Sequence, residues 1–191
     1  MSVTEWLQSV LPRGAACAGG GLLSLSDAPL FPVEETSVAH AVPKRRTEFR
    51  TGRAYARAAL AALGCAPAPI PVGESRQPLW PNGFLGSISH SGPWVGCAAV
   101  RCGRVGFDVE MGSGERIATF VAREAALKAC GAGIGALREV HLSAGRASCR
   151  GELLYAHALQ LFPGAAACVM TSLAGPGLAA HALSLEELFA P

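Results

Sequence analysis

The chain of 191 residues is half apolar and only 16% charged, enough for one well-cored domain or two small halves sharing an interface, which excludes intrinsic disorder. Its formal net charge of +2 neither demands a nucleic-acid partner nor opposes an acidic protein or a phosphorylated ligand. The 23 glycines and 13 prolines are scattered without a period, as in a loop-rich globular protein. Seven cysteines, at 17, 65, 97, 102, 130, 149 and 168, form no CxxC pair and read as small, reduced core residues. Glu5 precedes the apolar patch from Trp6 to Leu11 and Arg13 follows it, which is not the pattern of a secretory leader. The late apolar stretch from Gly164 to Leu183 is broken by Thr171, Ser172, Pro176 and His181, so no membrane span is expected and the chain is assigned to the cytoplasm.

The first forty residues offer a short apolar opening and then Pro29 and Pro32, predicting a helix or strand followed by loop. From Lys44 to Gly64 the spacing of Phe49, Ala56, Leu60 and Leu63 predicts a helix, with Gly64 at the position that follows its C-cap. Arg46, Arg50, Arg53 and Arg57 are spaced 4, 3 and 4 on that helix and form a stripe beside the core face, suited to a polyanionic ligand. Cys65 to Pro81 is a proline-rich connector ending in the Trp80-Pro81-Asn82-Gly83 turn. Gly86–His90 and Trp94–Val100, separated by Ser91-Gly92-Pro93, predict a hairpin, and Val105–Glu110 a third strand. Glu115–Cys130 reads as a helix ending at Gly131. Beyond it, His141–Leu142, Arg150–Leu154 and Leu178–Leu183 read as a small sheet, giving an α+β fold overall.

Strand alternation in Val105–Glu110 turns Val105, Phe107 and Val109 to the core and projects Asp108 and Glu110 together from the other face. A hard divalent cation relieves the repulsion of two such carboxylates, and Mg²⁺ commonly takes carboxylates together with waters and substrate phosphates. Taken alone, an Asp-x-Glu pair is more often a solvated edge-strand face. Phe120, Glu124 and Lys128 lie at i, i+4 and i+8 and share a helix face, so Glu124 is placed to add a third carboxylate. The plainer account is a surface Glu–Lys pair. Fourteen of the sixteen basic residues are Arg and two are Lys, and Lys128, unlike Arg, can donate a proton near neutral pH. His90 ends a strand between Ser89 and Ser91, where its ring can donate to a phosphate, although a lone His is usually a surface or satisfied core group. His40, His141, His157 and His181 have no comparable context.

In order, Lys44-Arg45-Arg46, Glu48-Phe49, Gly52-Arg53, Ala56-Arg57, Leu63-Gly64, Trp80-Pro81, Gly83, Gly86-Ser87-Ile88-Ser89-His90, Val105-Gly106-Phe107-Asp108-Val109-Glu110 and Phe120-x-x-Arg-Glu-Ala-x-x-Lys128 resemble the 4′-phosphopantetheinyl transferases of the enterobactin synthase component D and Sfp type. The resemblance spans residues 44 to 130. It implies transfer of the phosphopantetheine arm of coenzyme A to a serine of an acyl or peptidyl carrier protein, releasing adenosine 3′,5′-bisphosphate, with Mg²⁺ as cofactor. By the same resemblance, Asp108, Glu110 and Glu124 match metal ligands, and Glu124 also matches the group that activates the carrier serine. Lys128 matches the lysine beside the pyrophosphate. Arg46, Arg53, Arg76, Ser89 and His90 match positions that hold coenzyme A. The implied fold is two similar α/β halves joined as an intramolecular pseudo-dimer, residues 1–102 and 103–191, with coenzyme A between them and no need of a second copy. The implied setting is secondary metabolism. The nine residues from Met111 to Thr119 are fewer than the family usually has between its two acidic motifs, a stretch that lies near the carrier surface in relatives. Two rivals stand beside this reading: a degenerate relative that binds coenzyme A without transfer, and an RNA-binding module built on the Arg helix.

Overall fold

The computed structural model describes residues 11–143, 145–162 and 164–173. Strand β1 (Ala15–Gly21) is followed by the short helix α1 (Pro32–Val38), the long helix α2 (Pro43–Ala62), and strands β2 (Leu85–Ser91), β3 (Trp94–Val100) and β4 (Val105–Met111). Helix α3 (Glu115–Ala129), a 3₁₀ turn (Ile134–Glu139) and strands β5 (His141–Ser143), β6 (Arg146–Cys149), β7 (Glu152–Phe162) and β8 (Ala165–Thr171) complete the described chain. The α+β reading holds, as two antiparallel sheets: three strands in the order β1-β3-β2, and five in the order β4-β8-β7-β6-β5. The expected hairpin is present, with Ser91 opposite Trp94 across a two-residue Gly92-Pro93 turn. Leu178–Leu183, read as a strand from sequence, lies outside the described residues.

Both long helices stop where the sequence says they should. After α2, Gly64 takes φ +78, its N–H bonds Ala61 O and that of Cys65 bonds Leu60 O. After α3, Gly131 takes φ +63, with its N–H on Lys128 O and that of Ala132 on Leu127 O. These are paired Schellman closures, which need a left-handed residue at that one position and so favour glycine.

Alternation along the strands builds four layers. One side of the three-stranded sheet (Ala18, Val95, Cys97, Ala99) packs on Tyr55, Ala56, Ala59 and Leu60 of α2. Its other side (Ala15, Cys17, Ala98, Val100) meets Val105, Phe107, Val109, Ala167 and Val169 of the second sheet. The far side of that sheet (Cys168, Met170, Leu154, Ala156) packs on Val121, Ala122, Ala125 and Ala126 of α3. Small residues dominate these faces, so the layers approach closely. The closest approach is at Gly106, where an added Cβ would stand 1.8 Å from Ala125 O and 2.6 Å from Ala129 N. Gly106 is therefore what allows α3 to rest on β4.

No disulfide joins any of the seven cysteines, all of which lie among the described residues. Cys17, Cys97, Cys149 and Cys168 are buried as expected, whereas Cys102 is exposed. Burial pushes the Cys17 and Cys168 thiols up to about 12, which keeps them protonated and inert. No helix among the described residues is long and apolar enough to cross a membrane.

Candidate active site

Strand β2 is an edge of the first sheet and β4 an edge of the second. The two run side by side, joined by serine side chains. Ser87 Oγ donates to Phe107 O at 3.2 Å, Ser89 Oγ to Asp108 Oδ1 at 2.8 Å, and Ser91 Oγ to Glu110 Oε2 at 2.8 Å. The strand alternation that sends Val105, Phe107 and Val109 into the central core sends Asp108 and Glu110 the other way, beneath α3. Asp108 is only 3% exposed, so it is not part of a solvated edge.

Helix α3 delivers Lys128 onto that carboxylate. Lys128 Nζ lies 2.6 Å from Asp108 Oδ1 and donates to Ser89 Oγ at 3.0 Å. Lys128 is therefore engaged with Asp108 rather than with Glu124, which overturns the plainer account of an i,i+4 surface pair. One helical turn earlier, Glu124 is partly buried and held above the usual carboxylate range. Burial is the main cause, the charge of Asp108 adds to it, Lys128 opposes it and Glu110 adds a smaller push. Glu124 thus senses both carboxylates of β4. Asp108 Oδ2 and Glu124 Oε1 are buried without a hydrogen-bond partner, a costly state for two acceptors unless something else satisfies them. After the short 111–119 segment, α3 begins at Glu115 and brings Lys128 onto Asp108 of β4.

Among the described residues, no group of three or more His, Cys, Asp or Glu stands close enough together to hold a metal ion as placed. The donor set nevertheless suits one. Asp108, Glu110 and Glu124 offer hard oxygens, and Asp108 Oδ2 and Glu124 Oε1 are buried and unsatisfied, a donor chemistry of the kind hard divalent cations take.

His90, at the end of β2, faces a cleft of about 590 Å³ whose lining includes Arg45, Arg53, Arg76, His40 and Glu48. Arg45 Nη1 lies 3.4 Å from His90 Nε2, and Glu48 Oε2 lies 3.7 Å from the same nitrogen. Burial draws the His90 ring below its ordinary value, with Glu48 pulling it back up and Arg45 and Lys128 pushing it further down. Arg76 reaches the cleft from a turn in which it adopts φ +65, an uncommon conformation for a non-glycine residue. Arg45 and Glu48 stand in the motif series without a role, and His40 has no distinguishing context. Arg45 and Glu48 sit on the α2 face one step round from the arginine stripe, and only the fold brings His40 to the same cleft.

The stripe itself is largely committed to the protein. Arg46 donates to Val38 O at 3.1 Å and to Ala39 O, tying α2 to the end of α1, and does not itself line the cleft. Arg50 pairs with Glu35 at 2.6 Å. Arg57 meets both carboxylate oxygens of Glu34 at 3.0 Å and Pro29 O at 2.8 Å. Arg53 is 5% exposed, donates to Ile70 O at 2.7 Å and stacks over Phe49. Burial lowers its guanidinium to about 10. The expectation that all four guanidinium groups present one ligand face is corrected: Glu34, Glu35 and main-chain carbonyls occupy them, and Arg53 alone of the four lines the cleft. Glu34, fully buried, also accepts from the N–H groups of Phe31 and Ile70 and so ties α1, α2 and the connector together.

Residues 33–100 match the family model of the 4′-phosphopantetheinyl transferase N-terminal domain. The chain is 43% identical over 96 residues to 4′-phosphopantetheinyl transferase Svp of Streptomyces mobaraensis, covering 46% of this chain and 39% of that protein. It is 44% identical over 85 residues to 4′-phosphopantetheinyl transferase PptT of Mycobacterium tuberculosis, covering 42% and 37%. To enterobactin synthase component D of Escherichia coli K12 it is 45% identical over 73 residues, covering 37% and 34%. The matched stretch thus spans less than half the length of each of these relatives. The likeness to 4′-phosphopantetheinyl transferases expected from the sequence motifs is present in every one of them.

Proposed function

We propose that this chain transfers the 4′-phosphopantetheine arm of coenzyme A to a serine hydroxyl of an acyl or peptidyl carrier protein, releasing adenosine 3′,5′-bisphosphate. The observation that carries the reading is the convergence of Asp108, Ser89 and Lys128 within 3.0 Å of one another, beneath Glu124 and beside a cleft lined by Arg45, Arg53, Arg76 and His90. Phosphoryl transfer asks chiefly for positioning and charge neutralisation. The cleft residues supply cations for the phosphates of coenzyme A. Ser89, which accepts from Lys128, is followed in β2 by His90, which lines the cleft. In this reading Lys128 neutralises charge on the pyrophosphate and protonates the departing bisphosphate oxygen. Glu124, held above the ordinary carboxylate range, accepts the proton of the carrier serine as its oxygen attacks the β-phosphorus. The bond formed is serine oxygen to phosphorus, and the bond broken joins that phosphorus to the bridging oxygen.

Asp108, Glu110 and Glu124 would hold Mg²⁺, which when bound supplies positive charge against the phosphate oxygens. The fold supports a two-half architecture with its boundary at 102/103, because the chain passes from the first sheet to the second between Val100 and Val105, and each sheet carries one long helix on its outer face. We read the halves as a pseudo-dimer acting as a monomer in the cytoplasm, on carriers of secondary metabolism. Nothing in the site favours a relative that has lost transfer. The RNA-binding reading loses its footing with the stripe arginines already engaged.

The test uses Asp108→Ala and Glu124→Gln. Both variants should abolish mass gain on an apo carrier protein while coenzyme A still raises the melting temperature. Full transfer by both would overturn the site assignment.

A further inference from the structure

The serine ladder between β2 and β4 does more than join two sheet edges. Ser87, Ser89 and Ser91 alternate along β2, but their hydroxyls reach chemically different acceptors. Ser87 reaches a main-chain carbonyl, whereas Ser89 and Ser91 each reach one oxygen of a carboxylate. At Ser91 the arrangement is directional. Its oxygen accepts the N–H of Met111 at 3.1 Å, so its proton is left for Glu110 Oε2 at 2.8 Å. Among the described residues this is the hydrogen bond made by the Glu110 carboxylate, which is half-buried at the end of β4. A terminal carboxylate torsion is otherwise soft. Fixing one oxygen from a hydroxyl that is itself anchored to the next residue's main chain sets the plane of the group and the direction of its other oxygen.

We propose that Ser91 is a positioning residue for divalent-cation binding: it pre-orients Glu110 so that one carboxylate oxygen is presented to the ion while the other stays tied to β2. The inference rests on the reading of Asp108, Glu110 and Glu124 as cation ligands. Ser89 does the same for Asp108 Oδ1 but also accepts from Lys128, so altering Ser89 disturbs two functions at once. Ser91 isolates the one. Groups that orient metal-binding carboxylates typically contribute on the order of 10- to 100-fold in metal affinity.

The experiment measures Mn²⁺ binding by electron paramagnetic resonance, with coenzyme A present and Mg²⁺ as competitor, on the full chain. Ser91→Ala should weaken Mn²⁺ about tenfold and raise by a similar factor the Mg²⁺ concentration that half-saturates transfer, with the rate recovering at high Mg²⁺. Ser91→Thr keeps the hydroxyl and should restore binding. Ser87→Ala removes a ladder hydroxyl that touches no carboxylate and should bind Mn²⁺ as the parent does, which separates orientation from loss of the strand contact. Mn²⁺ binding by Ser91→Ala within twofold of the parent, or an equal loss in Ser87→Ala, would overturn the inference while leaving the cation reading intact. No Mn²⁺ binding by the parent protein would overturn both.

Discussion

Gly106 is the point at which the fold and the proposed chemistry are most tightly linked. Its missing side chain lets α3 lie on β4, and α3 carries both Glu124 and Lys128. The methyl of Gly106→Ala would stand 1.8 Å from Ala125 O and 2.6 Å from Ala129 N, and both are main-chain atoms that no rotamer change can move. Ordinary contact is about 3.5 Å, so the helix must withdraw by on the order of 1.5 Å. Overpacking of this kind costs about 1–3 kcal/mol, and displacement of a catalytic group by about 1 Å costs on the order of 100-fold in rate. Most of the basic cleft is built from α2, residues 36–41 and residues 72–78, all remote from Gly106. Urea unfolding should therefore show a loss of about 1–3 kcal/mol. Transfer to an apo carrier, followed by intact mass, should fall at least about 100-fold. Coenzyme A should still raise the melting temperature. Transfer within twofold of the parent would refute the argument that α3 must sit this close for the site to form.

Glu124 makes a prediction about pH. Its carboxyl is held above 4.5 chiefly by burial, so between 4.5 and its folded value the native state binds more protons than the unfolded state. Stability therefore falls as pH rises through that window. Glu124→Gln should raise the melting temperature of the cation-free protein at neutral pH and flatten this slope; an unchanged melting temperature and slope would contradict the burial argument. Glu34, fully buried between Arg57 and two main-chain N–H groups, should lose about 3–5 kcal/mol on replacement by Ala, because Arg57 is left partly buried without its partner. A loss below about 1 kcal/mol in urea unfolding would show that water replaces the carboxylate without strain.

What was legible in the sequence followed the two strong periods. The helix over α2 is written in its apolar spacing, the hairpin of β2 and β3 in the turn between them, β4 in the alternation of Val105, Phe107 and Val109, and the shared face of Phe120, Glu124 and Lys128 in the helical period of α3. The two helix ends were legible because only a left-handed residue closes them. Strand β1 was not, because Ala-Ala-Cys-Ala-Gly-Gly-Gly has no alternation: both of its faces are buried against close layers and need small residues. Helix α1, at seven residues, owes its place to tertiary contacts through Glu34 and Arg46, not to propensity. Beyond α3, β5 and the start of β7 were anticipated, whereas β6, β8 and the full length of β7 were not. The arginine stripe was seen, but its partners were not, since Glu34, Glu35 and the carbonyls that occupy it lie 7 to 28 residues away. Of the candidate site, Asp108, Glu124, Lys128, Ser89 and His90 were named from spacing and motif, and the fold brings Asp108, Ser89 and Lys128 together. Arg45 and Glu48, although within the motif series, and His40 needed the fold to be placed in the cleft.

The most direct measurement is the intact mass of apo acyl and peptidyl carrier proteins after incubation with this protein and coenzyme A, with Mg²⁺ and with a chelator in its place. The account predicts a gain of one phosphopantetheine group on a carrier serine, with Mg²⁺ only. No gain on any carrier while coenzyme A still raises the melting temperature, or an equal gain without a divalent cation, would contradict it.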